Sequence, residues 1–351
     1  MASIRDVAEL AGVSIASVSR VLNTSRPVAD ETRDRVIAAA SQLSFSIDQR
    51  ARGIRTQKSR TLGLVVADVG NPFTAQVLNA IEAVAYRSGY DIFLCNSDED
   101  PDRERLHCGA MMAQRIAGVI VMAASFSGTA LAPLLRNGVP IVCLDRKVDD
   151  VELDSILVNN DAGGIMAAVA LSEAGHRRIG VIGANRTTPG RDRMLSFRRA
   201  LLERGIALDD ELVRVANYKE EGGYDETLAL LTLKQRPTAL FIVNHPMTIG
   251  ALRAIQDFGL HVPGDVSVLA FDDPAWAPLL APALSTIRQP TDQLGMRAAQ
   301  MLIDRVEGRY AGTARSVVLA PRYMERASIA PPPPQRIADR ETPAQKNRKP
   351  N

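Results

Sequence analysis

The sequence predicts a small all-α domain followed by an α/β core of two lobes, each built on a parallel sheet. Two short amphipathic helix patterns meet at Gly12 near the N-terminus. From Thr61 onward, apolar strand-like runs alternate with helix-like segments, a pattern typical of parallel sheets joined by right-handed crossovers. A chain of 351 residues is also longer than one ordinary core and favours several domains.

Residues 1–45 carry the local signals of three short helices. Ser3 and Asp6 match a capping box, Gly12 permits the positive φ of a tight turn, and Ser14 and Asp30 are the expected caps of the second and third helices. The predicted inward residues are Ile4, Val7, Ala8, Ala11, Val18, Val21, Leu22, Val36, Ile37, Ala40 and Leu43.

The second helix leaves a set of outward positions. These are Ile15, Ala16, Ser17, Ser19 and Arg20. An exposed second helix after a tight turn is the arrangement of a helix-turn-helix, whose second helix enters the DNA major groove. A generic three-helix bundle used for protein contacts is the alternative.

Charge is concentrated at the N-terminal end. Residues 1–60 contain ten Arg or Lys against six Asp or Glu, a balance of +4, whereas the whole chain carries +2. This asymmetry indicates a nucleic-acid or acidic partner for the segment. Within it, residues 46–60 are polar and basic, and we expect a hinge that can form a short helix.

The core is predicted to span residues 61–329. Nine strand-like runs fall between Thr61 and Asp272, separated by helix-like segments. Residues 330–351 are rich in proline and charge, which is typical of a disordered tail.

Several classes of protein are not favoured. The three cysteines are odd in number and widely spaced, as in a reducing cytoplasm, and the N-terminus lacks the apolar stretch of a signal peptide. No run approaches the ~18 apolar residues of a membrane span. Phosphate-loop, HExxH and GxSxG motifs are missing, and the four histidines have no metal spacing. We therefore expect a cytoplasmic, nucleoid-associated protein that is not an enzyme and has no cofactor or metal.

The chain resembles the lac-repressor/gal-repressor family of bacterial transcription regulators up to about residue 328. The resemblance rests on "IRDVAELAGVSIASVSRVLN", "VADETRDRVIAAASQL", "GLVVADVGNPFTAQVLNAIE", "GHRRIGVIG", "RMLSFRRAL", "MTIGALRAI", "VPGDVSVLAFDD" and "LSTIRQP". It implies a homodimeric core like a periplasmic sugar-binding protein, with three crossovers and an effector between the lobes. The implied bounds are about 61–161 and 290–320 for lobe 1, and 162–289 and 321–329 for lobe 2.

The resemblance also implies DNA contacts. The positions of base readers hold Ile15, Ala16 and Arg20; an arginine can donate two bonds to guanine, whereas Ile and Ala offer apolar contact. The positions of phosphate contacts hold Ser14, Ser17, Asn23 and Thr32.

The hinge departs from the family pattern, because Ile47, Asp48 and Ile54 stand where Pro, Asn and Leu are common. Ile54 can still act as a minor-groove wedge beside Arg55, although Gly53 weakens a hinge helix by up to ~1 kcal/mol.

The implied effector site combines a guanidinium, a carboxylate, amides and aromatic faces. Its residues are Phe73, Asn159, Arg193, Asn244, His245, Asp272 and Trp276. Asn159 and His245 stand where Asp is common. Asp145 and Arg146 follow a strand end near the cleft, where a structural pair is an equally good account.

The function expected from these observations is a repressor that binds a palindromic operator and is controlled by a sugar or sugar acid. Loss of two acids at the site slightly favours an anionic ligand over a neutral one. The alternative is a corepressor-dependent regulator that senses a nucleobase or another non-sugar metabolite. A solute-binding receptor without a DNA role is a more distant alternative.

Overall fold

The computed structural model describes residues 3–23, 28–43, 45 and 59–333. It divides into two compact units, residues 1–60 and 61–351. Each unit is treated separately below.

The N-terminal unit contains three helices around one small core. They are α1 (Ile4–Ala11), α2 (Ile15–Asn23) and α3 (Asp30–Gln42). The predicted capping box is present, since the Ser3 side chain accepts from Asp6 N–H and the Asp6 carboxylate accepts from Ser3 N–H. Gly12 ends α1 with φ +63°. All three helices contribute to the core, whose buried residues are Val7, Ala8, Ala11, Val18, Val21, Val36, Ala39 and Ala40.

Two details of α3 differ from the sequence prediction. The cap position is Ala29, which provides no side-chain hydrogen bond, and Asp30 is the first helical residue. There its negative charge still complements the N-terminal end of the helix dipole. Ile37 is 52% exposed, because the buried stripe runs through Val36 and Ala39 instead.

The second unit contains two six-stranded sheets. The lobe 1 sheet has the order β11-β5-β4-β3-β1-β2. Its strands are β1 (Thr61–Val66), β2 (Asp91–Asn96), β3 (Gly118–Val121), β4 (Ile141–Leu144), β5 (Asp154–Val158) and β11 (Ser316–Leu319). Every neighbouring pair in this sheet is parallel.

The lobe 2 sheet has the order β12-β10-β9-β8-β6-β7. Its strands are β6 (Ile179–Gly183), β7 (Val213–Val215), β8 (Ala239–Ile242), β9 (Ser267–Phe271), β10 (Ser285–Arg288) and β12 (Arg322–Met324). Only β12, at the edge, pairs in the antiparallel sense. The sequence pattern missed β10, β11 and β12. β10 and β12 are short and lack a continuous apolar run, whereas β11 contains an apolar run at residues 317–319 and could have been predicted.

Helices cover both sheets. The helices of lobe 1 are α4 (Pro72–Arg87), α5 (Pro101–Ala113), α6 (Ala132–Arg136) and α11 (Thr291–Val306). Those of lobe 2 are α7 (Asn160–Glu173), α8 (Thr188–Glu203), α9 (Glu220–Leu231) and α10 (His245–Asp257). Three short 3₁₀ turns occur at Gly128–Leu131, Asp210–Leu212 and Ala277–Leu279. None of the helices in the described part of the chain is long and apolar enough to cross a membrane.

The chain passes between the lobes three times, after β5, after β10 and between β11 and β12. Residues 330–333 continue along lobe 2: Ala330 exchanges hydrogen bonds with Ser267, and Pro332 lies beside Gly175. Residues 330–333 of the predicted tail are therefore ordered on lobe 2, and residues 334–351 lie outside the described residues.

Candidate functional site

The exposed side of α2 presents the predicted base-reading residues. Ile15, Ala16 and Arg20 are all exposed, whereas Val18 on the opposite side is fully buried. Ser14 Oγ accepts from Ser17 N–H at 3.1 Å, so its hydroxyl caps the helix. The N-terminal unit thus offers two apolar side chains and one guanidinium on one helix face.

The other predicted DNA contacts are less fully described. Thr32 is half-buried in the first turn of α3, and Asn23 is the last residue of α2. The hinge residues Ile54 and Arg55 lie outside the described residues.

In the core, the carboxyl ends of the strands of both lobes meet at a cleft. Non-glycine residues there have left-handed backbone conformations, which are rare and strained. They are Asp98, Glu99, Asp145, Tyr218 and Asp272, with φ between 56° and 75°. Such strain concentrates at functional sites, so its clustering at the strand ends marks the cleft as the candidate site.

Arg193, on α8, is 3% exposed and lies at the centre of the cleft. Its Nε donates to Asn160 Oδ1 and its Nη1 to the carbonyl of Val243, both at 2.7 Å. The guanidinium carbon lies 3.5 Å from the ring centre of Phe271. Burial lowers the pKa of Arg193, and the carboxylates of Asp272 and Asp145 oppose this effect. The remaining nitrogen, Nη2, is buried without a protein partner.

Lobe 1 contributes Asp145 and Arg146, which directly follow β4. Glu99 accepts two 2.7 Å hydrogen bonds from Arg146, whose guanidinium carbon is 5.3 Å from the ring centre of Tyr218. Burial raises the pKa of Asp145, against the opposing effect of Arg193 and Arg146. Arg146 is therefore paired with Glu99 within lobe 1, and one carboxylate oxygen of Asp145 lies 3.9 Å from Arg146 Nε.

Lobe 2 contributes a network centred on Asp272. One carboxylate oxygen accepts from His245 N–H at 3.1 Å, and the other accepts from Gln289 Nε2 at 2.5 Å. The indole Nε1 of Trp276 donates to His245 Nε2 at 3.1 Å. The network holds the side chains of His245 and Gln289 in defined orientations.

Four buried polar atoms of this site have no hydrogen-bond partner in the protein. Two are donors or donor-capable nitrogens, Arg193 Nη2 and His245 Nδ1; two are oxygen acceptors, Asp145 Oδ1 and Gln289 Oε1. An unpaired buried polar group is costly, about 1–3 kcal/mol each. All four atoms belong to residues of the cleft, which makes the cleft the candidate site for a polar ligand.

The other three predicted effector residues make contacts within the protein. Phe73 is 8% exposed and packs in the lobe 1 core. Asn159 is exposed, and its Oδ1 caps α7 by accepting from Ala162 N–H. Asn244 caps α10 with its oxygen, while its nitrogen donates to the Tyr218 carbonyl. Of the predicted set, the structure brings together Arg193, His245, Asp272 and Trp276.

Several site residues were missed by the sequence reasoning. Asn160, one residue past the predicted Asn159, accepts a hydrogen bond from Arg193. Gln289 follows a strand that was not predicted. Tyr218 and Lys219 follow β7; the Tyr218 hydroxyl lies 2.6 Å from Thr187 Oγ1. The sequence signal that could have found these residues is their position after a parallel strand, because ligands bind at the carboxyl ends of such strands.

A separate pocket of about 440 Å³ lies at the edge of lobe 1, lined by residues 147–153 and 314–316 among others. None of the four unpartnered atoms of the cleft belongs to it. Within the ranges that the structure describes, no group of His, Cys, Asp or Glu is arranged to hold a metal ion.

Two family models match the chain. Residues 3–47 match the bacterial regulatory proteins of the lacI family, and residues 168–329 match a periplasmic binding protein-like domain. The chain is 37% identical over 336 residues to the HTH-type transcriptional repressor PurR of Pectobacterium carotovorum subsp. carotovorum (strain PC1), covering 95% of this chain and 98% of the relative.

Solved structures agree with this result. The Lac repressor dimer bound to operator and the anti-inducer ONPF is 24% identical, with a TM-score of 0.82 over 94% of this chain and 99% of that one. The complex of the transcriptional regulator CelR with cellobiose is 28% identical, with a TM-score of 0.71 over 93% of this chain and 100% of that one.

A helix-turn-helix unit joined to a two-lobed, binding-protein-like core defines a bacterial DNA-binding regulator. The chain belongs to the LacI family and is a DNA-binding transcriptional repressor. Its relatives are repressors and not enzymes, and the same holds for this chain.

Proposed function

We propose that the protein represses transcription from an operator whose affinity is controlled by a nucleobase-type effector bound between the lobes of the core. The four unpartnered polar atoms of the cleft carry this proposal. A nucleobase presents N–H and C=O groups side by side in a plane, which suits the adjacent donors and acceptors of the site. The similarity to PurR repressors favours this effector over the sugar expected from the sequence.

The charges of the cleft support a neutral ligand. Glu99, Asp145 and Asp272 carry three negative charges when ionised, against the two positive charges of Arg146 and Arg193. A buried anionic ligand would lie near the carboxyl groups of Asp145 and Asp272, which is unfavourable at low dielectric. This argues against the anionic ligand expected from the sequence.

A carbohydrate is the second candidate. The CelR relative is complexed with cellobiose, and each sugar hydroxyl can accept from Arg193 and donate to a neighbouring carboxylate. A nucleobase differs from a carbohydrate in having a planar face that can stack on an aromatic ring. Tyr218 and Trp276 provide such rings at the cleft.

The effector class is tested through Trp276, the only tryptophan of the chain. Its indole is bonded to His245 in the cleft, so its emission should change when the site fills. The full chain is titrated with hypoxanthine, ribose and gluconate, and each binding curve is repeated by calorimetry. Hypoxanthine should bind and the other two should not; tight binding of ribose or gluconate with hypoxanthine ignored would contradict the nucleobase proposal.

DNA recognition is proposed to use α2, with Arg20 reading guanine and Ile15 and Ala16 contacting thymine methyl groups. The exposure of all three side chains supports these roles. Ser14, Ser17, Asn23 and Thr32 are proposed phosphate contacts, and Ile54 and Arg55 proposed hinge contacts. Because the chromosome lies in the cytoplasm, the protein is proposed to act there.

A homodimer on a palindromic operator is proposed for the assembled state. Lobe 1 supports it with exposed apolar side chains at its free sheet edge, β2, and on the neighbouring helices. These are Tyr86, Phe93, Leu94 and Leu106. Large exposed apolar groups of this kind mark contact surfaces. Sedimentation equilibrium should give twice the chain mass of 37.9 kDa; a monomer at micromolar concentration would contradict the dimer.

A further inference from the structure

The contact between Trp276 and His245 determines where the imidazole carries its proton. The indole Nε1 lies 3.1 Å from His245 Nε2, and the two ring centres are 5.3 Å apart. An indole N–H can only donate. His245 Nε2 must therefore accept, so it carries no proton.

The histidine is neutral, and its one N–H is at Nδ1. Burial lowers the pKa of His245, and the Asp272 carboxylate opposes this only in part. A neutral imidazole has one protonated nitrogen, and Nε2 is the acceptor. Trp276 thus selects the Nδ1–H tautomer.

The Nδ1–H group has no acceptor within the described protein. The His245 side chain is almost fully buried, and Nδ1 makes no hydrogen bond. The nearest acid, Asp272, already accepts from the His245 backbone and from Gln289. An acceptor for this proton must therefore come from a ligand in the cleft.

We propose that His245 is a specificity-determining residue whose Nδ1–H reads a hydrogen-bond acceptor on the effector, and that Trp276 is the positioning residue that holds this tautomer. The inference rests on the proposed function of the cleft as the effector site. The acceptor is a carbonyl oxygen or an unprotonated ring nitrogen, or a hydroxyl oxygen if the ligand is a sugar. A ligand group that only donates, such as an amino group, is disfavoured at this position.

The tautomer is tested by nitrogen NMR of the full chain labelled with ¹⁵N-histidine. Comparison with His245→Asn identifies the His245 signals among those of the four histidines. The wild type should show the Nδ1–H tautomer, and Trp276→Phe should shift His245 toward the Nε2–H form. An Nε2–H tautomer in the wild type, or an unchanged tautomer in Trp276→Phe, would overturn the proposal.

The role in recognition is tested by calorimetry with hypoxanthine. His245→Leu should weaken binding about tenfold, because it removes a donor from a buried acceptor. His245→Asn, whose amide nitrogen lies near the position of Nδ1, should stay within about threefold of the wild type. The matched control is His261→Asn, since His261 is exposed on lobe 2 and its substitution should have no effect.

The outcomes separate this inference from the proposed function. Equal affinities of wild type, His245→Asn and His245→Leu for hypoxanthine would overturn the role of His245 while leaving the nucleobase proposal intact. If ribose binds and hypoxanthine does not, the nucleobase proposal fails. The same three proteins, titrated with ribose, then decide whether His245 reads an acceptor.

Discussion

Lys219 forms an ionic contact across the cleft, and its removal should favour the open form of the core. Lys219 immediately precedes α9 in lobe 2, and its ammonium donates to Asp68 at 3.0 Å and to Asp98 at 2.6 Å in lobe 1. We call these three residues the interlobe latch. Burial alone would lower the pKa of Lys219, but the hydrogen bonds that it donates to Asp98 and Asp68 raise it. The latch therefore stabilises closure while Lys219 is charged.

The magnitude follows from the exposure of the latch. Side-chain exposures of 29%, 21% and 43% for Lys219, Asp68 and Asp98 place the pairs near the surface. Such pairs contribute about 0.2–1 kcal/mol each. Lys219→Met should thus lower the stability of the closed form by about 1 kcal/mol, or roughly fivefold in the ratio of closed to open core. Methionine keeps an apolar stem of similar length.

The assay is calorimetry with hypoxanthine at low and high sodium chloride. Because only the closed fraction binds productively, the apparent affinity should fall by up to about fivefold in Lys219→Met. The wild-type affinity should decline toward the variant as salt screens the latch. Lys234→Met, which alters an exposed lysine of the same lobe, is the control. Equal affinity and equal salt dependence of wild type and Lys219→Met would refute the latch.

Three further predictions concern other parts of the molecule. Arg20→Ala should weaken the free energy of binding to the selected operator by about 1–3 kcal/mol and that to random DNA only slightly, as measured by fluorescence anisotropy. Equal losses on both DNAs would show that Arg20 contacts phosphate instead of a base. Gly164→Ala should lower the free energy of unfolding in urea by about 1–3 kcal/mol, because the new methyl group would lie 2.1 Å from Ser196 Oγ. Gly109→Ala is the control, since its methyl group would meet no neighbour within 4 Å. Equal effects of the two substitutions would contradict close packing of α7 against α8. Asp154→Asn should lower the free energy of unfolding at pH 7 by about 2–3 kcal/mol, since Arg305 and Arg315 both donate to this carboxylate. At pH 3 the difference between wild type and Asp154→Asn should be smaller. Burial would raise the pKa of Asp154, but its bonds to the two arginines lower it. The stabilisation by these bonds is therefore present above the unfolded pKa of about 3.9 and is lost as the pH falls through the folded pKa. The same stability difference between wild type and Asp154→Asn at pH 7 and pH 3 would contradict this prediction.

Local signals in the sequence predicted the caps and the turn of α1 and α2. The capping pair Ser3 and Asp6, the left-handed Gly12 and the cap Ser14 each depend on neighbours within a few residues. The buried side of α3 was less well predicted, because it depends on the helices that pack against α3. Ile37, which was expected to face inward, is therefore exposed, and Ala39 is buried.

The candidate site was predicted only where a side chain follows a recognisable motif. Arg193 and Asp272 lie in such motifs, and the structure brings both into the cleft. The choice between Asn159 and Asn160 depends on which amide caps α7, and the sequence allows either. Left-handed non-glycine residues such as Tyr218 depend on tertiary contacts. Sequence patterns carry no signal for such strained positions, which the rest of the fold stabilises.

The central claim is that the cleft around Arg193 controls operator affinity. Operator DNA is first selected from random sequence with the wild-type protein. Anisotropy titrations then compare wild type, Arg193→Met and the exposed control Arg199→Met, each with and without hypoxanthine. Hypoxanthine should change the operator affinity of wild type and control by about 5–150-fold, while Arg193→Met binds operator normally and does not respond. An equal response to hypoxanthine in Arg193→Met would contradict the account.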